Sequence, residues 1–264
     1  MSTDDIKIET NPFSLEGRTI LVTGASSGIG RAVAVQVSRM GGRVVALGRD
    51  SARLEETLAL LDVLNGAVHA AYSVELTDIE TIETRIAEIC KEAGPLAGLV
   101  HSAGVAETVL LRDADFKMIE NMLRLNWLAF LAVCKATCRR GRYANGMSVV
   151  GIASMSALRG QAGLNFYAGS KGAVLASVPA LAAEYAPRGI RFNAISPCPV
   201  NTPMQQEART NLGEDWYKKE VEAKVKLGPL GPEDVADATV FLLSPASKRI
   251  TGINLVVDSG WSLM

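Results

Sequence analysis

"RTILVTGASSGIGRAV", residues 18–33, is where the fold is decided. An apolar, β-branched run enters a turn of small residues, and a helical pattern follows. Gly24, Gly28 and Gly30 mark that turn at a G-x-x-x-G-x-G spacing. The first glycine allows a sharp exit from a strand. The second lets backbone N–H groups approach a pyrophosphate, and the third lets the helix pack closely on the sheet. The helix N-terminus then faces the anion. An ordinary strand-to-helix turn also uses small residues. Three glycines at this spacing, at the first such junction of the chain, favour the phosphate-binding reading.

Outward from this turn, apolar runs alternate with helical patterns to the end of the chain. Further strands are predicted at "RVVALG", "AVHAAYSV", "LAGLVHSAG", "MSVVGIAS", "IRFNAIS" and "INLVVDSG". Helices are predicted over 28–40, 51–62, about 77–93 and 115–138, through "NFYAGSKGA" to about 186, and over 232–243. Residues 197–230 read as irregular, with Pro, Asn, Gly and many charges. Alternating strands and helices imply parallel strands, right-handed crossovers and helices on both faces, a doubly wound three-layer α/β/α sheet of Rossmann type. The strand runs lack polar alternation, as expected of strands buried on both sides. No linker or repeat divides the chain, so a single domain over 1–264 is expected, with 1–16 as an N-terminal extension.

The 264 residues are 48% hydrophobic and 21% charged, enough for a substantial core. A net charge of −1 implies no general attraction to nucleic acid or to an anionic membrane. The start, "MSTDDIKIETNPF", is acidic and polar, unlike a secretory signal, and no apolar run reaches the roughly 18 residues of a membrane span. Four cysteines without a C-x-x-C and only two histidines give no convincing metal site. Cys134 and Cys138, four apart on a helix, read as buried small hydrophobes, and a cytoplasmic location fits best.

The second strand ends "VVALGRD". An acid at this strand end would accept hydrogen bonds from an adenosine ribose and repel a 2′-phosphate. Here the position is Gly48, followed by Arg49, whose guanidinium can hold a phosphate bidentately. Read so, with Ser26 as a helper, the site favours NADP(H) over NAD(H). The alternative is a surface arginine that opens a loop.

With these pieces placed, the sequence resembles the short-chain dehydrogenase/reductase family over about residues 17–260. The resemblance rests on "TGASSGIG", "HSAG" at 101–104, Asn126, Ser154, Tyr167-x-x-x-Lys171, "SPCPVNTP" at 196–203 and "VDSG" at 257–260. It implies a catalytic set of Asn126, Ser154, Tyr167 and Lys171. Residues four apart share a helix face, and an ammonium beside a phenol favours the phenolate, so Lys171 should lower the pKa of Tyr167. Tyr167 would trade a proton with the substrate oxygen while hydride passes between nicotinamide and a carbonyl carbon. Ser154 would stabilise the oxyanion, with Ser156 as its competitor for that role. Asn126 would hold a water that relays protons to Lys171, or simply be a buried asparagine bonded to backbone. The resemblance further implies cofactor contacts from Gly24, Ser26, Ser27, Gly28, Ile29, Gly30, Arg49, Glu75, Leu76, Ser102, Ala103, Gly104, Tyr167, Lys171, Pro197, Val200 and Thr202, and no metal.

Departures qualify the match. The family's Asn-Asn-Ala-Gly is His101-Ser102-Ala103-Gly104, where His101 reads as a structural strand-end residue. The usual Pro-Gly is Pro197-Cys198, where Cys198 reads as a tolerated small residue, the alternative being a thiol exposed near the nicotinamide. The usual Asp-Gly-Gly is Asp258-Ser259-Gly260. The nearest group is the 3-oxoacyl-(acyl carrier protein) reductases, but their arginine before the acid in the Tyr/Lys helix is Ala183 here. Arg139, Arg140 and Arg142 could serve an acyl carrier protein instead, or form a solvated helix end. Alternatives are an alcohol, sugar or steroid dehydrogenase, and a cofactor-binding sensor or scaffold without chemistry. Residues 197–230 should form the substrate lid, with Gly213 and Gly228 as hinges and Trp216 and Tyr217 as a pocket wall or as packing. A homotetramer or homodimer is expected from the family.

Overall fold

The computed structural model describes residues 11–263. Seven strands, β1 (Thr19–Thr23), β2 (Arg43–Gly48), β3 (Ala70–Ser73), β4 (Leu96–His101), β5 (Tyr143–Ile152), β6 (Arg191–Pro197) and β7 (Asn254–Val257), form one sheet in the order β3-β2-β1-β4-β5-β6-β7. Every pairing is parallel. The α-helices are α1 (Gly28–Arg39), α2 (Ser51–Leu58), α3 (Ile79–Ala93), α4 (Phe116–Leu123), α5 (Ala129–Thr137), α6 (Asn165–Tyr185), α7 (Pro203–Leu212), α8 (Glu214–Tyr217) and α9 (Pro232–Leu243).

The strands divide their side chains between two cores. Along β1, Leu21 joins Ile82, Ile86, Phe130 and Val174 from α3, α5 and α6. Its neighbours Ile20 and Val22 join Val33, Val37, Leu54 and Val240 from α1, α2 and α9 on the other face. Each such fully buried aliphatic side chain contributes about 1.5–3 kcal/mol. The doubly wound α/β/α sheet expected from the alternation is therefore present. No helix among the described residues is long and apolar enough to cross a membrane.

Several boundaries differ from expectation, each for a local reason. The helix predicted over 115–138 is interrupted by a π turn, Arg124–Leu128, in which the Ala129 N–H reaches back to the Arg124 carbonyl. The third strand starts at Ala70 because the His69 ring, not backbone, accepts the Val44 N–H at 3.0 Å. The second helix stops at Leu58, and the Asp62 N–H turns to Ser38 Oγ. Strand β5 begins four residues early, where Leu96 pairs with Tyr143 across a register shift. Residues 197–230 are not irregular: they hold α7, α8 and a π turn over Lys218–Glu222. Thr202 accepts the Gln205 N–H and Pro203 occupies the first helical position, a start that the charge density hid.

The expected N-terminal extension is docked from residue 11 onward. Leu15 is fully buried and its N–H bonds to the Met40 carbonyl, while the Pro12 carbonyl accepts from Ala246. Residues 1–10 lie outside the described residues.

Candidate active site

The strand order reverses between β1 and β4, whose last residues Thr23 and His101 pair in register. Ligand crevices of doubly wound sheets lie beyond such a switch point, at the carboxyl ends of the strands. Here the chain leaves β1 through Gly24, at φ +68°, so close to the β4 exit that a Cβ there would lie 2.8 Å from the Ala103 nitrogen. A Cβ on Gly30 would overlap the Gly24 carbonyl oxygen, so α1 packs directly on the turn. Gly28, at φ +52°, opens α1 against the Thr202 methyl. Ser27, the N-cap, makes no side-chain capping bond, and the first turn of α1 holds no acid. Small residues, unopposed helix-end N–H groups and no negative charge suit the pyrophosphate of a dinucleotide.

At the β2 end, Ser26, Arg49, Asp50 and Arg53 line an open recess of about 430 Å³. Arg53 was not singled out from sequence. Its spacing four residues after Arg49, across the start of a helix capped by Asp50, was the available signal. Glu75 lies across the recess from Arg49 at 3.8 Å, and its other oxygen accepts from the Thr77 backbone and hydroxyl. Leu76 is buried in the core that holds Ile82 and Ile86, Val200 in the one on the other face, against which Ile29 also packs, and Pro197 closes β6. Val200 pairs with Leu230, which pins the two ends of the 197–230 segment together.

At the β4 end, Thr23 Oγ1 accepts the Ala103 N–H at 3.2 Å and lies 3.1 Å from His101 Nδ1. The imidazole is 1% exposed, beside Phe130, and burial followed by the nearby Lys171 charge lowers its pKa to about 3. His101 is thus a neutral, interior residue at this strand end.

The helix residues converge beyond β4 and β5. Asn126, fully buried in the π turn, accepts the Val105 N–H and donates to the Val105 carbonyl and Ser170 Oγ, each at 2.9 Å. It ties the β4 exit loop to α6. Lys171 is 4% exposed and donates to the Ile152 carbonyl at 2.8 Å. A Cβ on Gly104 would sit 3.0 Å from Asn126 Oδ1 and 3.3 Å from Lys171 Nζ, so both groups face the same bare floor. Ser154 accepts the Ser156 N–H at 3.1 Å and donates to Ser156 Oγ at 3.2 Å, and it lies near enough to the Tyr167 phenol to favour its ionised form. Of the two candidate serines, the buried Ser154 is the one that meets the phenol.

Electrostatically, the Tyr/Lys pair departs from expectation. Burial is the largest influence on Tyr167 and pushes its pKa up, and the nearby Ser154 only opposes this. Lys171 does not hold the phenol down: its Nζ is 6.0 Å from the ring centroid, and burial lowers its own pKa to about 8. Desolvation disfavours both charged forms. Of the two readings of Cys198, the structure agrees with the tolerated small residue and not with an exposed thiol: it is 4% exposed, its Sγ 3.7 Å from the Pro199 carbonyl, and burial pushes its pKa to about 12. Two of the three arginines of the 139–142 cluster are engaged, since Arg139 and Arg142 meet Glu83 at 3.1 and 2.7 Å.

The chain's likeness to known proteins agrees with this geometry. The family model described as enoyl-(acyl carrier protein) reductase matches residues 24–262. D-threitol dehydrogenase of Mycolicibacterium smegmatis is 32% identical over 255 residues, covering 95% of each chain. The human 3-oxoacyl-[acyl-carrier-protein] reductase is 35% identical over 244 residues, 92% of this chain and 97% of that one. A Beutenbergia cavernae structure, named as a candidate NAD(P)-dependent gluconate 5-dehydrogenase with NADP at low occupancy, aligns with a TM-score of 0.85 at 32% identity, over 96% of this chain and 100% of the other. The family of these relatives binds nicotinamide cofactors and acts on alcohols and carbonyls. This chain belongs to it: the protein is an oxidoreductase of the short-chain dehydrogenase/reductase family.

Proposed function

We propose that the protein is an NADP(H)-preferring carbonyl reductase, built as one Rossmann-type unit with residues 197–230 as its substrate lid. The observation that carries this reading is the meeting of Asn126 and Lys171 at the floor made by Gly104, with Tyr167 one turn before Lys171 on α6 and Ser154 beside the phenol. Gly24, Gly28 and Gly30 would cradle the pyrophosphate, Ser102, Ala103 and Gly104 the span beyond it, and Lys171 the nicotinamide ribose. Bound there, the cofactor supplies or accepts the hydride. Ser154 orients and polarises the substrate oxygen. Tyr167, kept protonated by burial, donates the proton, which suits reduction. Lys171 has two further N–H groups for ribose hydroxyls. Asn126 Oδ1 keeps one acceptor lone pair for a water on the path to Lys171.

Arg49, with Arg53 and Ser26, would hold a 2′-phosphate, and no acid stands at Gly48 to repel it. Four unpaired, buried cysteines suit a reducing cytoplasm. The exposed small residues Ala176, Pro179 and Ala180 on α6 suit contact with a second copy in a homodimer or homotetramer.

The substrate is read as a medium-sized carbonyl compound with an apolar part, 3-oxoacyl thioesters included. One observation favours a second reading, an alcohol or sugar dehydrogenase: Glu83 engages Arg139 and Arg142, leaving Arg140 to meet an acidic carrier protein. Turnover with NADPH across ketones, an acetoacetyl thioester and sugar-derived carbonyls tests the proposal. Activity on the thioester supports the first reading and activity on polyols or sugars alone the second. A chain that binds NADPH and turns over nothing would be a sensor or scaffold.

A further inference from the structure

A cavity of about 440 Å³ opens at the amino ends of the strands, at the opposite edge of the sheet from the crevice. Arg18, just before β1, and Arg191, the first residue of β6, form its inner wall. Lys248 and Arg249 stand exposed at its mouth. Among the described residues, no carboxylate lines it.

Part of this has a structural purpose. Arg191 donates to the Leu242 carbonyl at 2.7 Å and the Ile250 carbonyl at 3.1 Å, tying β6 to the end of α9. Arg18 donates to the Gly146 carbonyl at 3.1 Å. These bonds do not account for the rest. Arg18 Nε is buried with no hydrogen-bond partner. Burial lowers the pKa of Arg18, and burial together with Arg18 lowers that of Arg191 to about 10. A buried N–H without a partner and two like charges side by side both cost stability. Salt bridges would relieve that cost, yet neither arginine has one among the described residues. An oxyanion in the cavity, meeting the outer guanidinium N–H groups and not the enclosed Arg18 Nε, would relieve the like-charge cost, because those groups are spaced to meet phosphate or carboxylate oxygens.

We propose that this cavity is a second ligand site, separate from the nicotinamide crevice, that takes a small oxyanion carrying at least two negative charges. Arg18 and Arg191 would grip the anionic group, and Lys248 and Arg249 would draw it in and close over it. The cavity is larger than one phosphate, so the ligand would carry a further body. Phosphate esters and polycarboxylates share the required chemistry.

The full-length protein, with its crevice first saturated by nicotinamide dinucleotide, is titrated calorimetrically with inorganic pyrophosphate and separately with citrate. The expected result is one further bound ion per chain, weakened by added salt. Binding of pyrophosphate alone points to phosphate esters, of citrate alone to polycarboxylates, and of both to oxyanions in general. Lys248→Ala with Arg249→Ala should weaken binding about tenfold or more, as loss of charge-assisted hydrogen bonds does, and leave turnover unchanged. Arg18→Met keeps the aliphatic stem and should weaken it similarly. No saturable binding of either ion, or affinity unchanged in the double variant, overturns the proposal. Binding that appears only after residues 1–10 are removed, with Asp4, Asp5 and Glu9, would assign the cavity to the chain's own terminus and overturn it as well.

Discussion

Lys171 and Arg209 are both cations on helices near the carboxyl edge of the sheet, and they are held in different ways. Lys171 is nearly inaccessible and bonded to the last carbonyl of β5. Its neighbours Asn126 and Ser154 are also buried, Asn126 bonded to the Val105 backbone and Ser154 to the Ser156 N–H. Arg209, in α7, stacks 4.4 Å over Tyr217 and pairs with Glu214 and Glu222, all on the same excursion of chain. That excursion is fastened at its neck by Val200 and Leu230 and on its return limb by Ser259, whose hydroxyl donates to the Gly228 carbonyl. One region is part of the core. The other is stabilised mostly from within itself and joined to the core at few points. Chemistry placed on the first is rigid, and substrate recognition placed on the second can vary without disturbing it.

The contrast is sharpest at Lys171. Replacement by Met should lower turnover by more than about a hundredfold, within the range for loss of an acid–base group. It should also stabilise the fold at pH 7. A folded pKa near 8 against an ordinary 10.5 corresponds to about 3 kcal/mol, offset by about 1 kcal/mol for the lost bond to Ile152. The sign follows from proton counting. Between pH 8 and 10.5 the unfolded chain holds the lysine proton and the folded chain has released it, so the penalty that Lys171 imposes on the folded state fades as pH rises across that window. In thermal melts from pH 7 to 10 the wild type should gain stability relative to the variant; the buried cysteines, held above their ordinary pKa in both, cancel in that difference. A variant less stable than wild type at pH 7 would mean that the ammonium is not penalised by burial.

The open recess at the β2 end, where the proposed reading puts cofactor choice, lies between the two regions. Gly48→Asp with Arg49→Ala should shift the NADPH/NADH ratio of kcat/KM by about tenfold or more toward NADH, the scale of a lost charge-assisted bond. A Cβ at Gly48 would meet Leu54 and Ser26 at 3.3–3.4 Å, so only small adjustments are needed. A wild type that already prefers NADH would remove Arg49 from cofactor recognition.

The smallest effect belongs to the excursion. Arg209→Ala should lower Tm by no more than roughly 2–4 °C, since its ion pairs are exposed. It should change KM for the substrate more than kcat. A large loss of kcat would show that the segment shapes the chemistry.

The same division governed what could be read from the chain. The phosphate turn and the Tyr167/Lys171 helix were legible because their demands are local: a positive φ at Gly24, no room for a side chain at Gly30, two residues on one helix face. The π turn at Arg124–Leu128 was not, because a bond to the fifth residue leaves no mark in composition. Helix α7 was overlooked although Thr202-Pro203 is an N-terminal signal. The state of the Tyr/Lys pair was misjudged because charge proximity is visible in spacing and burial is not. Glu83 lies more than fifty residues before the arginines it engages, a pairing that only the fold creates.

The most direct test of the account is Tyr167→Phe measured with NADPH over a panel of carbonyl substrates, with cofactor affinity determined in parallel. The account predicts that kcat falls by at least about a hundredfold and by a similar factor for every substrate, while NADPH binds as in the wild type. Near-normal turnover, or losses that differ widely from one substrate to the next, would contradict it.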